Sequence, residues 1–350
     1  MLQKLAVFVL ALSCLIGVPG VFEAAAAQKT IIKINASYNP KAQGDYPQVQ
    51  QIIAFKEKME ARFPDRVDVR VYWDQRLGST FDGAMNSLQN NVFHMHLYPL
   101  SSMSEFTAAA IPMTDLFLVP YPHRDIINAA MDGEVGAMIT ERMIKDTRVR
   151  PLCFWEIGFR HLLNNKKPIT SLEDLKGMKF RVQPNPVHLT SFKALGTNPT
   201  PIPWAELFTA LQQGVVDGTE NPYENITAAR LHEIQKYLTL SGHAFEMASY
   251  VMGEEFYQSL PDDIRTGIHE VMAECTTQYR LDAIKRDEEI YAFLKEKMEI
   301  NELSPEVLEE FREAVKPARE IARQQSGAEY ADKFYALMER YEAEYFARIK

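Results

Sequence analysis

Apolar and polar positions follow two different rhythms in the early part of the chain. Thr30 to Asn35 is a short β-type run, and after Pro47 the apolar residues Val49, Ile52, Ile53, Met59 and Phe63 recur at helical spacing. Val67, Val69 and Val71 then alternate with Asp68, Arg70 and Tyr72, which predicts a half-exposed strand. A further helix is predicted over Phe81 to Gln89. Strand, helix, strand, helix in that order predicts an α/β domain with a largely parallel sheet.

The same grammar restarts near residue 150. Ser171 caps a short helix, Asp174 stands three residues later as in a capping box, and Gly177 ends it. Met178, Phe180 and Val182 alternate with Lys179 and Arg181, so on a strand the two basic side chains share the face opposite the apolar one. Trp204 to Gln213 predicts a helix with Leu207, Phe208 and Leu211 on one side, stopped by Gly214, and Val215-Val216 opens a short strand ahead of Asp217-Gly218. From Asp262 to about Glu299 the chain is Pro-free and helical in composition, long enough to bridge two domains. Ser304-Pro305-Glu306 starts another helix, and the helical remainder is broken at Pro317 and Gly327.

The first residues change the picture of where this chain works. Lys4, an apolar run from Leu5 to Val18, and Glu23-Ala24-Ala25-Ala26-Ala27 are the three parts of a secretory signal peptide, with the cut expected after Ala27. Cys14 offers a lipoprotein alternative, disfavoured by Ala11 and by the apolar run continuing past the thiol. The sequence shows no second apolar run of membrane-spanning length, which implies an exported protein working in the periplasm with no direct membrane insertion. Roughly 320 residues exceed what one hydrophobic core organises, so two domains are expected. The net charge of −9, unchanged when Lys4 and Glu23 leave together, argues against nucleic acid as a partner. Cys153 and Cys275 read as buried free thiols rather than a bridge.

Catalytic signatures are absent: no Gly-x-Ser-x-Gly elbow, no phosphate loop, no His-Glu-x-x-His and no Cys-x-x-Cys. His94-Met95-His96 could place two imidazoles on one strand face, but no third ligand has clear spacing, and no metal or cofactor is expected. The informative stretch holds Gly158-Phe159-Arg160, Ser171-Leu172-Glu173-Asp174-Leu175-Lys176-Gly177, Lys179-Phe180-Arg181-Val182 and Gln213-Gly214-Val215-Val216-Asp217-Gly218-Thr219-Glu220-Asn221-Pro222. It closely resembles the DctP-type solute-binding proteins of tripartite ATP-independent periplasmic (TRAP) transporters. Arg76-Leu77-Gly78 and Leu260-Pro261-Asp262-Asp263 extend the resemblance to nearly the whole chain after the leader, while Asn91 and His94 depart from the family's usual Gly and Asp.

The resemblance implies an α/β periplasmic binding protein fold of two domains, with a ligand cleft between them and long helices spanning both. By analogy domain I covers 28–157 plus 247–286, and domain II covers 158–246 plus 287–350. It further implies that Arg181 clamps a substrate carboxylate, with Arg160 as a second basic position, Asn221 as a polar contact and Trp204 as the aromatic packing on the ligand. Asn35 and Tyr98 are expected where the first domain's strands end at the cleft. Glu156, in the crossing between domains, is expected either to bond a ligand hydroxyl or to brace Arg160. The implied function is a receptor that captures a small organic acid, a sugar acid or C4-dicarboxylate, and delivers it to a TRAP membrane permease. Phe93, Tyr98, Trp155 and Trp204 favour an aromatic or amino-acid-derived carboxylate as the alternative ligand. A secreted enzyme is the alternative of another class, and it needs a nucleophile or acid/base pair that the motifs do not supply.

Overall fold

The computed structural model describes residues 29–349; the proposed signal peptide lies outside them. In chain order its strands are β1 (Thr30–Asn35), β2 (Val67–Tyr72), β3 (Met95–Pro99), β4 (Val149–Asn164), β5 (Lys179–Val182), β6 (Asn198–Pro201), β7 (Gly218–Pro222), β8 (Tyr237–Gly253) and β9 (Glu299–Glu302). They make one sheet in the order β2-β1-β3-β8-β4-β7-β5-β6, with β9 on β8.

The two ends of this sheet are parallel and its middle is antiparallel. β1 lies parallel to β2 and β3, and β5 lies parallel to β6 and β7, each step crossing over through a helix as parallel pairing requires. Between them β4 and β8 run antiparallel, from Val149 opposite Gly253 to Asn164 opposite Tyr237. The sheet is therefore mixed, where the first-half pattern predicted a largely parallel one. Register shifts interrupt the ribbon between Pro151 and Cys153, between Glu156 and Gly158, and between Arg160 and Leu162. Gly158 occupies φ +121°, a conformation closed to other residues without strain.

Each end of the sheet buries both faces. In the first half Ile34, Val69, Trp155, Tyr250 and Met272 fill one face, and Leu88, Ile127, Ile139, Met143 and Phe334 fill the other. In the second half Phe180, Phe192 and Phe311 fill one face, and Leu211, Ile226 and Leu294 the other. The helix Asp262–Lys297 spans both halves, burying Ile268 and Cys275 in the first and Ile290 and Leu294 in the second; its 36 residues reach about 54 Å. The helix Ala328–Ile349 packs on Arg124–Asp132 and Glu134–Thr147 of the first half, whereas the sequence partition gave it to the second domain. Cys153 and Cys275 are free, and burial pushes the thiols up to about 12 for Cys153 and about 11 for Cys275.

Three local expectations change. Val215-Val216 is not a strand: Gly214 at φ +69° donates to Leu211 O and Val215 N to Ala210 O, a Schellman cap closing the helix Leu207–Gln212. The first turn from Trp204 to Glu206 is a 3₁₀ turn preceding that helix. Pro317 does not break the helix Pro305–Ser326, which runs through it with Pro317 on the exposed side.

Candidate functional site

A cleft of about 530 Å³ opens between the halves, within the range of small-molecule sites. Phe81, Asp82 and Ser101 line it from the first half, and Arg181, Trp204 and Asn221 from the second. Ile157 and Glu246 reach it from the crossing strands β4 and β8.

Alternation along β5 sends Phe180 and Val182 into the core and turns Arg181 to the other face. Lys179, at the start of the strand, is exposed, whereas Arg181 is only 2% exposed. Arg181 Nε donates to Ile202 O at 2.8 Å, while its buried Nη1 has no hydrogen-bond partner. Burial lowers its guanidinium to about 10, with Glu220 pulling the other way and Arg160 adding to the fall, so it stays charged near neutrality. Asn221, on β7, is also buried, and its Nδ2 has no partner within the protein. Two buried N–H groups without acceptors thus belong to residues lining one cleft, in a setting where such groups are normally paired.

Arg160 is placed differently. Its guanidinium is spent on a buried knot: Nε donates to Glu220 Oε2, Nη2 to Glu220 Oε1 and O, both at 2.8 Å, and Nη1 to Glu246 Oε2 at 2.8 Å. A longer contact of 3.4 Å from Nη2 reaches Asn221 Oδ1. Burial works to raise Glu220, but Arg160 and His243 overcome it and hold the carboxyl well below the usual range. Arg160 does not line the cleft; it orients Asn221 and Glu246, which do.

Asn35 and Tyr98 do not line the cleft either. Asn35 Nδ2 donates to Gly78 O at 3.0 Å and its Oδ1 accepts from Leu77 N at 3.3 Å, while the Tyr98 hydroxyl donates to Phe81 O. Together they fasten the loop containing Arg76-Leu77-Gly78, which delivers Phe81 and Asp82 to the cleft wall. Glu156 accepts from Arg124 Nη1 at 2.7 Å and Asn128 Nδ2 at 2.8 Å, and has no bond to Arg160. Trp204 is 42% exposed at the cleft edge. Of the other aromatics singled out in the sequence, Phe93, Tyr98 and Trp155 are all buried in the cores.

His94 stacks on Phe256 at 3.5 Å and accepts from Lys33 N, and the Nδ1 of His96 bonds Asn35 O at 2.8 Å. Burial lowers each to about 4, leaving neutral packing residues, and among the described residues no group of three metal-type ligands assembles.

The sequence reading passed over Ser101, Gln183 and Glu246. Ser101 Oγ donates to Glu246 Oε2 at 3.0 Å, and Gln183 Nε2 donates to Ser101 Oγ at 2.9 Å. The signals were present: Gln183 lies two residues beyond Arg181, and Glu246 is the one acidic residue between Tyr237 and Gly253. A further contact between the halves is made by Glu224, which accepts from Gln48 Nε2 at 2.8 Å and from the Tyr38 hydroxyl at 3.2 Å. Burial raises its carboxyl to about 7, against the lowering effect of the Gln48 bond.

Comparison with known proteins gives this geometry a lineage. The model of the DctP family, described as bacterial extracellular solute-binding protein family 7, matches residues 38–325. The C4-dicarboxylate-binding periplasmic protein DctP of Rhodobacter capsulatus is 30% identical over 91% of this chain and 92% of its own length. A TRAP periplasmic solute-binding protein from Ochrobactrum anthropi, with a C-terminus bound in its ligand-binding pocket, superposes with a TM-score of 0.81 at 31% identity, over 91% of this chain and 97% of that one. The sugar acid binding protein DctPAm of Advenella mimigardefordensis, in complex with galactonate, has a TM-score of 0.81 at 26% identity, over 90% and 99%. This chain belongs to the DctP family of bacterial extracellular solute-binding proteins, which serve TRAP transporters as substrate receptors and are not enzymes.

Proposed function

We propose that the cleft holds the carboxylate of a small organic acid against Arg181 Nη1 and Asn221 Nδ2, with Trp204 covering the ligand and Arg160 bracing Asn221 from behind. What supports this reading is the pair of buried donors without protein acceptors in one cleft. A carboxylate supplies two acceptor oxygens, and charge-assisted bonds to a guanidinium are among the strongest available in a desolvated site. Asn35, Tyr98 and Glu156 act through the loop and strands they fasten.

Relatives indicate the ligand class: C4-dicarboxylate for the Rhodobacter protein and galactonate for the Advenella one. An aromatic acid has less support, since three of the four aromatics that suggested it are core residues. The two halves, the first carrying the helix Ala328–Ile349, close on ligand by hinge motion and dock to the permease with a surface drawn from both. Export removes residues 1–27, which N-terminal sequencing of periplasmic protein checks by reading Gln28 first.

Calorimetry tests the site. Arg181→Ala abolishes high-affinity binding, and Arg181→Lys binds poorly because a point charge does not reproduce the planar fork; near wild-type affinity in the Ala variant would refute the assignment. In vesicles carrying the cognate permease, uptake requires both proteins and a sodium gradient. Uptake that needs ATP and no gradient would place the receptor with another transporter class.

A further inference from the structure

The lining of the cleft is unequal in charge, and the inequality bears on what the rest of the ligand looks like. Arg181 is the one cationic side chain among the lining residues, whereas Asp82, Glu105 and Glu246 are all acidic. Glu246 shares Arg160 with Glu220, taking Nη1 at 2.8 Å. Its Oε2 also takes Ser101 Oγ at 3.0 Å, but its Oε1 has no closer donor than Ser101 N at 3.4 Å, leaving that oxygen with room to accept. Beside it the Oε1 of Gln183 is buried and accepts from nothing in the protein. Across the cleft neither Asp82 nor Glu105 has a cation within 4.0 Å among the described residues, and burial, reinforced by Asp82, raises the Glu105 carboxyl. Among the fully buried polar atoms of the lining residues, the donors without an acceptor are thus Arg181 Nη1 and Asn221 Nδ2, and the acceptor without a donor is Gln183 Oε1.

We infer that the cleft selects a monocarboxylate whose remaining polar groups are hydrogen-bond donors, read by Glu246 and Gln183, and that it discriminates against a second carboxylate. This rests on the carboxylate-receptor reading above and narrows it. One carboxylate finds its acceptor-deficient partners at Arg181 and Asn221. A second would face like charge with no cation left to offset it, and like-charge juxtaposition is the element that makes a binding site reject a near relative. Hydroxyls or an ammonium group, by contrast, satisfy oxygens that would otherwise stay unpaired, which is where polar sites gain their largest discrimination.

The test uses the exported, leader-free protein and acids of matched length: succinate with two carboxylates, erythronate with one carboxylate and hydroxyls, 4-aminobutyrate with one carboxylate and an ammonium group, together with galactonate as a longer hydroxy acid. Calorimetry shows a hydroxy acid or the amino acid binding at least tenfold tighter than succinate, and which of the two wins identifies the donor. Glu246→Gln weakens the favoured ligand at least tenfold more than it weakens succinate. Because that change also touches Arg160, the exposed pair Asp82→Asn/Glu105→Gln provides a second reading, narrowing the preference against succinate at least threefold with the fold intact. Succinate binding as tightly as the best monocarboxylate, with Arg181→Ala abolishing it, overturns the inference and leaves the receptor reading standing. Binding that survives Arg181→Ala, or no binding of any acid in the panel, overturns both.

Discussion

Arg160 and Arg181 stand on β4 and β5, on either side of β7, and both are almost completely buried, yet they do opposite things. Arg160 has two carboxylates and a backbone carbonyl around it, so its charge is answered by the protein itself. Arg181 has one backbone carbonyl and a second nitrogen with no acceptor. The first arrangement belongs to architecture, where breaking one member strands the others. The second leaves part of its bonding to whatever enters the cleft. Burial by itself therefore does not separate a brace from a receptor; the completeness of the partner set does.

Breaking the brace has the largest expected effect. Arg160→Ala leaves Glu220 and Glu246 buried without their cation and lowers unfolding stability by about 3–5 kcal/mol, read from urea denaturation. A variant as stable as the wild type would erase the contrast. At the other arginine the outcomes separate: Arg181→Met keeps stability within about 1 kcal/mol of wild type or raises it, since no carboxylate is stranded there, while ligand affinity falls by about 2–5 kcal/mol.

The contact between halves at Glu224 sharpens the comparison through pH. Its folded value, about 7, lies above the ordinary carboxyl value, so the native state holds a proton that the unfolded chain releases. That contribution is fully present below the ordinary value and is lost as pH rises through about 7. Asp287, raised by burial to about 6, has the same sign. Thermal unfolding from pH 5 to 8 is expected to show stability falling with pH, and Glu224→Gln to remove on the order of 1–3 kcal/mol of that fall. The smallest effect belongs to the exposed edge: Trp204→Ala shifts stability by no more than about 0.5 kcal/mol, and binding, followed by calorimetry, weakens by roughly tenfold, about 1.4 kcal/mol.

Short strands with one polar face were legible in the sequence, and β1 and β2 run where alternation and β-type residues predicted them. The long ribbon of β4 and β8 was not, because most of its residues are buried on both faces and alternation disappears. Arg181 and Trp204 were found through the surrounding motif, and both line the cleft. For Arg160 the resemblance implies a ligand contact and a structural ion pair competes with it; the sequence cannot choose because it displays a charge without its partners, Glu220 being 60 residues away and Glu246 86. Asn35 and Tyr98 were placed correctly at strand ends, but which way a side chain turns there depends on a loop, and that loop takes their polar atoms.

The ribbon also sets the order in which this molecule can be assembled. β3 pairs with β8, Met95 opposite Met252, and the helix Pro47–Arg62 packs on the helix beginning at Asp262. The first half is therefore not a contiguous piece of chain and cannot be completed until the whole second half has been synthesised. A fragment ending before β4 would carry β3 as an unpaired edge and expose the apolar face that the long helix covers, a combination prone to aggregation. With its key pairings so distant along the chain, folding is expected to be slow. A chain that stays unfolded for long is suited to a route that threads polypeptide through a membrane before it folds.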